Sequence, residues 1–193
     1  GNADGYIYNS DLNSVTSYSS LGKITAAMAP DPPIALARYK NTIIVFGTAS
    51  FEVFENVGNS SGSPLQRMPQ YASRIGNQGQ RSVVALEDDI FYVSSGKYGE
   101  LSVQRLKDLK SQSVSSSTVN KILGTAANSG SIYMSGFQLG GYNYIAVVVL
   151  TSSETSDLLL LEDGDNILLE TADDIILEGS NNETSVFGRM FVY

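Results

Sequence analysis

The residues best suited to chemistry in this chain are carboxylates. Glu52 and Glu55 fall close together, Glu87, Asp88 and Asp89 are consecutive, and Asp163, Asp165, Asp173 and Asp174 punctuate a C-terminal repeat. Two carboxylates facing one another across a glycosidic bond can hydrolyse it, one as acid and the other as base or nucleophile. Clustered Asp oxygens can hold Ca²⁺. Each possibility meets a simpler reading. Glu87, Asp88 and Asp89 sit between two apolar runs, where acids belong to a hairpin turn. The tetrad DGDN at 163–166 lacks a twelve-residue EF-hand loop and its bidentate Glu, so these Asp and Asn residues read as turn formers. Gly76-Asn77-Gln78-Gly79 has the glycines of a phosphate loop, but no Lys-Ser/Thr follows and a strand, not a helix, comes next. Three zeros remove further chemistry: the 193 residues contain no Cys, no His and no Trp. A thiolate nucleophile, a disulfide, an imidazole metal site and a Ser-His-Asp triad are thereby excluded from this sequence. The expectation is a non-enzyme with no catalytic residues, no cofactor and no metal.

Net charge is −8, and its distribution is uneven. Residues 154–183 hold ten of the 20 acids and no Lys or Arg, which leaves ten acids against 12 bases elsewhere. No Lys/Arg stripe with interleaved aromatics is present, so binding of nucleic acid by phosphate neutralisation is not indicated. An acidic surface repels DNA, which suits a surface that DNA slides past as well as one that simply needs solubility. The longest apolar run, residues 145–150, has six residues, far short of the roughly 20 that span a bilayer. No membrane partner is expected. Residues 1–20 are polar, and the chain ends on Met190-Phe191-Val192-Tyr193 as though inside a strand. A fragment of a longer polypeptide is expected.

The elements that must position these residues read as strands. Residues 41–47 form a β-branched run closed by Gly47, and residues 50–55 follow with an apolar–polar alternation that slips at Phe54. Gly47-Thr48-Ala49 between them reads as a hairpin loop. Residues 82–86 and 90–93 flank the acids 87–89 as a second hairpin. Residues 101–106 alternate, and residues 131–134 and 142–150 make a third pair joined around Gly140-Gly141. Two stretches break the pattern. Residues 56–70, rich in Gly, Ser, Asn and Pro, read as a long exposed loop. The Ser-rich residues 111–123 end in one helical turn capped by Ser117 or Thr118. Eleven Tyr are scattered through the chain and read as core-rim or interface residues. Tight hairpins at this spacing point to an all-β sandwich or propeller.

Residues 159–182 read LLLE-DGDN, ILLE-TADD, IILE-GSNN, an eight-residue repeat with Glu162, Glu170 and Glu178 in register. Three aliphatics and a Glu make a short strand, and four polar residues make a turn. The unit is too short to bury its own apolar face, so Leu160, Leu161, Leu168, Leu169, Ile176 and Leu177 are expected to meet another surface. The chain is therefore divided into a β domain at 1–150, an inserted acidic repeat at 151–183 and a return strand at 184–193.

Residues 38–57, RYKNTIIVFGTASFEVFENV, carry a resemblance. With the order Val45-Phe46-Gly47, Val57-Gly58, Arg67, Ile75-Gly76, Ser82-Val83-Val84-Ala85 and Ile90-Phe91-Tyr92-Val93, the chain resembles the packaged-DNA stabilisation proteins, or tail hub and nozzle proteins, of short-tailed bacteriophages. Residues 102–106 and 117–123 fit that family's order of a strand, then Ser-Thr and a short helix. The LLLE quartets resemble a cassette of phage structural proteins. The resemblance covers about residues 5–150.

What the resemblance implies is mechanical. The fold would be antiparallel, all-β and propeller-like. The protein would be a structural component of the virion, assembled in the host cytoplasm as a homo-oligomeric ring, six copies being usual. Its partners would be the portal adaptor and other tail proteins. The tube would retain packaged DNA and then pass it without sequence-specific binding. The competing reading is a carbohydrate-binding or carbohydrate-cleaving tail module, for which Glu87, Asp88 and Asp89 are the candidate acids. A third reading is a calcium-stabilised β-repeat adhesin.

Overall fold

A computed structural model describes residues 5–11, 13–26, 31–59, 61–96, 99–126 and 128–150, and the backbone of 186–192. Strands dominate. β1 (Tyr6–Tyr8) pairs with β2 (Lys23–Thr25). β3 (Ala35–Tyr39), β4 (Thr42–Phe46), β5 (Phe51–Asn56) and β6 (Leu65–Arg67) form a four-stranded antiparallel meander in sequence order. β7 (Val83–Leu86), β8 (Asp89–Ser95), β9 (Leu101–Lys107) and β10 (Lys110–Ser113) form a second. The helix α1 (Ser117–Leu123) then leads to β11 (Ile132–Leu139) and β12 (Tyr142–Leu150), beside which β13 (Val186–Val192) runs antiparallel. The first strands of the three larger sheets, β3, β7 and β11, are neighbours. Successive meanders laid face to face with their first strands together are propeller blades, so the expected fold class is observed.

The blades stack because their strands are apolar on both sides. In β4, Ile44 and Phe46 point into one core and Ile43 and Val45 into another. β5 repeats this: Phe51 and Val53 join Ile44 and Phe46, while Phe54 faces the opposite way with Leu65 and Ile7. The alternation that slips at Phe54 in the sequence is therefore a strand covered on both faces. β8 continues the scheme. Ile90 and Tyr92 turn toward the first blade, and Phe91 and Val93 turn toward Ile132, Ile145, Val147 and Val149 of the third. Between the first two blades Phe46, Phe51 and Tyr92 form an aromatic cluster with centroids 4.8–6.4 Å apart, spacings at which tilted rings attract. The Tyr92 hydroxyl lies 2.7 Å from Ser111 Oγ, which donates to Gln104, whose amide donates to Ser102. Burial pushes the Tyr92 phenol up to about 12, against the opposing effect of the hydrogen bond it shares with Ser111.

Turn chemistry sets the hairpins. Two-residue turns join β3 to β4, β7 to β8, β9 to β10 and β11 to β12. Gly140 and Gly141 take φ of 61° and 82° without strain, whereas Lys40, Glu87, Asp108 and Leu109 hold φ of 50–60° as non-glycine residues. Tertiary contacts maintain some of these. Leu109 packs on the aromatic core, and the Asp108 amide donates to the buried Tyr39 hydroxyl at 2.8 Å.

Four expectations are corrected. Residues 56–70 are not one long loop: β6 and a 3₁₀ turn at Pro69–Tyr71 lie there. β6 is held because Leu65 is buried and Arg67 reaches Glu52 and the Thr25 carbonyl. Residues 111–123 contain the end of β10 and a seven-residue helix, which buries Val119 and Leu123. Its N-cap is Ser116, whose hydroxyl accepts from the Val119 amide, not Ser117 or Thr118. The β7–β8 turn is Glu87-Asp88 alone. Asp89 belongs to β8 because its carboxylate is held by Arg105 on the neighbouring strand.

Phe46→Ala should lower unfolding free energy by about 3–5 kcal/mol in denaturant melts, the cost of emptying a closed aromatic site. Leu36→Ala on the same hairpin, where the side chain is 50% exposed, should cost about 0.5 kcal/mol or less.

Candidate functional site

The acids considered for hydrolysis are distributed over two blades, and three of them, Glu52, Glu87 and Asp89, are engaged in side-chain contacts. Glu52, on β5, is buried and lies 2.6 Å from the guanidinium of Arg67 on β6. Asp89, on β8, accepts from Arg105 Nε at 2.8 Å. Glu87 accepts from Gln138 Nε2 at 3.1 Å, tying the β7–β8 turn to β11. Glu55 pairs across from Thr42 at the outer end of the first blade, and Asp88 is exposed at the turn. In the Glu52–Arg67 and Asp89–Arg105 pairs the carboxylate and the arginine sit on neighbouring strands, so the contact joins the strands. The candidate metal residues Asp163, Asp165, Asp173 and Asp174 lie outside the described residues. So do the candidate interface residues Leu160, Leu161, Leu168, Leu169, Ile176 and Leu177. Among the described residues no group of three or more acids is placed to hold a metal ion.

Two sheet faces at the ends of the stack are less covered than those within it. On the third blade, register places Tyr133, Phe137 and Leu139 of β11 beside Val148, Tyr144 and Tyr142 of β12, on the side away from the second blade. Phe137 and Tyr144 stack with centroids 5.4 Å apart, and Leu139 and Tyr142 are 63% and 61% exposed. At the other end, β1 and β2 cover Val45, Phe54 and Leu65, while Leu36 stays open. Tyr6 and Tyr8 pack against each other, with Lys23 over the Tyr6 ring.

The end of the stack at which the first strands begin is built differently, from polar loops fastened to strands. Asp31 binds the β4–β5 loop with four hydrogen bonds, from the Thr48 amide and hydroxyl, the Ala49 amide and Ser50 Oγ, at 2.8–2.9 Å. Burial pushes the Asp31 carboxyl up, but the four donors outweigh it and hold the group below its ordinary value. Gly76 passes directly under this loop: a Cβ there would come within 2.3–2.4 Å of Thr48 and Ala49 backbone atoms, so only glycine fits. The next residue, Asn77, is fully buried. Its amide N–H donates to the Gly47 carbonyl, and its side chain bonds Gly79 and Ser82. The glycine-containing tetrad at 76–79 is thus a rigid inter-blade connector. A close backbone approach, not a phosphate, accounts for Gly76.

Sequence reading missed this end of the molecule. The signals were present: a Gly beside an Asn ahead of one strand, and an Asp followed by Pro ahead of another. Neither has a meaning until the strands bring Asp31 and Gly76 to the same loop.

Against this geometry the comparisons are specific. The sequence model of a family described as "Bacteriophage P22 Gp10, beta-propeller" matches residues 2–147, a span that includes the first two blades and nearly all of the third hairpin. No protein in the curated set matches the chain.

The Asp31 carboxylate gives a pH prediction. A carboxyl held below the ordinary 3.8 contributes stability that is fully present above that pH and lost as pH falls through its folded value. Asp31→Asn should therefore melt below the parent protein at pH 6, and the gap should close as pH drops below about 3.8. Thermal melts between pH 2.5 and 6 measure this. A gap independent of pH would show that the charge on Asp31 has no part in fastening the loop.

Proposed function

The chain belongs to the bacteriophage P22 Gp10 β-propeller family, a family of structural phage tail proteins, and from that premise we propose that it forms part of the tail hub or nozzle. In this reading copies assemble below the portal and its adaptor as a ring, six being the number the resemblance carries. They close a tube that keeps pressurised DNA in the head and then lets it through. The observation that carries the proposal is the family match across residues 2–147, which coincides with the stack of propeller blades.

Three features support it. Of the clustered acids of the β domain, Glu52 and Asp89 are engaged by arginines and Glu87 by an amide, which fits a protein that works through shape. The chain carries no Lys/Arg stripe, and its net charge of −8, concentrated at residues 154–183, disfavours adhesion of a passing polyanion to that segment. The less covered end faces, rich in Tyr, Phe and Leu, have the composition of subunit contacts. The acidic repeat at 159–182 is assigned to assembly in this reading, its aliphatic quartets leaving water against a neighbouring copy or tail protein. Burial of each leucine there is worth roughly 1.5–3 kcal/mol.

Electron microscopy of the purified protein tests the ring. Annular particles with a central opening are expected, and a protein that remains monomeric at high concentration would overturn the proposal. Replacing Leu160, Leu168 and Ile176 together with Ser should reduce the oligomer fraction in sedimentation while residues 43–149 keep their β-sheet circular dichroism. Global unfolding by that triple change would place the repeat in the core rather than at an interface. Heads completed with the altered protein should lose packaged DNA faster than heads completed with the parent.

A further inference from the structure

At the end of the stack where β3, β7 and β11 begin lies a cleft of about 400 Å³, within the roughly 300–1,000 Å³ usual for small-molecule sites. Three blades contribute to it: Ile34 just before β3, Gln78, Gln80 and Arg81 just before β7, and Tyr133 at the start of β11, with Thr48 from the β4–β5 loop. We propose that this cleft binds a small polyhydroxylated carboxylate, an acidic sugar. The proposal is independent of the tail-tube reading.

The cleft is built before any ligand arrives. The Gln78 amide donates to the Val93 carbonyl at 2.7 Å, and the Met134 amide donates to the Arg81 carbonyl at 2.8 Å, so the backbone of 78–81 is fixed to two blades. Beneath it, the fully buried Asn77 and Ser82 hold the turn at Gly79. Asp31 fixes Thr48 from the other side. The guanidinium of Arg81 lies over the Tyr133 ring, 5.2 Å from its centroid. This cation–π contact orients the fork while its in-plane N–H groups stay available. Among the described residues Arg81 has no carboxylate partner within salt-bridge distance.

The chemistry of the lining selects the ligand. One fixed guanidinium fork matches one carboxylate in bidentate geometry. A nucleic-acid backbone would call for a series of cations, and the lining has one. The other groups are two side-chain amides, one threonine hydroxyl and one phenol, which donate and accept in the mixed pattern that sugar hydroxyls require. A single aliphatic side chain, Ile34, lines the wall, so an apolar acid would leave the amides without partners.

Calorimetric titration of the whole chain with D-glucuronate and with N-acetylneuraminate, against D-glucose, acetate and inorganic phosphate, tests this. Expected is saturable one-site binding of at least one acidic sugar, tenfold or more tighter than glucose, acetate or phosphate. Arg81→Ala should weaken that binding at least tenfold, and Arg81→Lys should recover it only in part, because an ammonium lacks the fork. Arg81 is exposed, so melting curves should be unchanged. If Arg81→Ala nevertheless melts early, Gln80→Ala, at a second exposed position, should show a loss of threefold or more. The proposal is overturned by an absence of saturable binding, by glucose, acetate or phosphate binding as tightly as the acidic sugars, or by variants that bind like the parent.

Discussion

A strand that is apolar on both sides cannot end in a single layer. β4, β5 and β8 each send alternate side chains into two different cores, so every sheet they form needs a sheet on either side. That requirement is what makes the meanders stack, and the rest of the structure adapts to it. Polar groups carried into the stack must arrive with partners. Glu52 is buried only because β6 brings Arg67 to it, and the Tyr92 hydroxyl is tolerated because Ser111, Gln104 and Ser102 continue the hydrogen-bond chain. Leaving either set without its partners would cost more than the pairing itself contributes.

The central strands were legible in the sequence because β-branched and aromatic runs bounded by Gly, Asp or Ser have few other uses. Residues 42–46, 90–93 and 142–150 are of this kind. What escaped notice was held by partners distant in sequence. β6 is three residues long with one apolar side chain, and its reason to exist is a carboxylate on β5. The hairpins at Lys40-Asn41 and Asp108-Leu109 lack the usual glycine, since contacts with Tyr39 and the aromatic core hold the backbone in place. The helix was expected near its true position, but its cap was placed one or two residues late, at Ser117 or Thr118 instead of Ser116. In a run of Ser115, Ser116, Ser117 and Thr118 any hydroxyl can serve, and packing of Val119 and Leu123 decides which one does.

The candidate sites divide along the same line. Among the candidate carboxylates, Glu52 and Asp89 are ties between strands, and Glu87 ties a turn to β11. The axial cleft draws on residues that sequence spacing could not unite: Thr48, Arg81 and Tyr133 come from three blades. The lateral faces and this end also differ in physical character. The faces present aromatic and aliphatic side chains suited to neighbours of similar chemistry. The end presents amides, a hydroxyl and a guanidinium on loops whose backbones are already committed to hydrogen bonds.

The adjacency of β3, β7 and β11 also bears on how the chain comes apart. Each blade is stabilised chiefly by the blades beside it, so cohesion is passed between nearest neighbours as in a zipper. The second blade, gripped on both sides, would be the last to open, while β1–β2 and the third hairpin would fray first. Strand-by-strand amide exchange would then run as a gradient from the centre outward, and capping either margin would slow exchange throughout the interior.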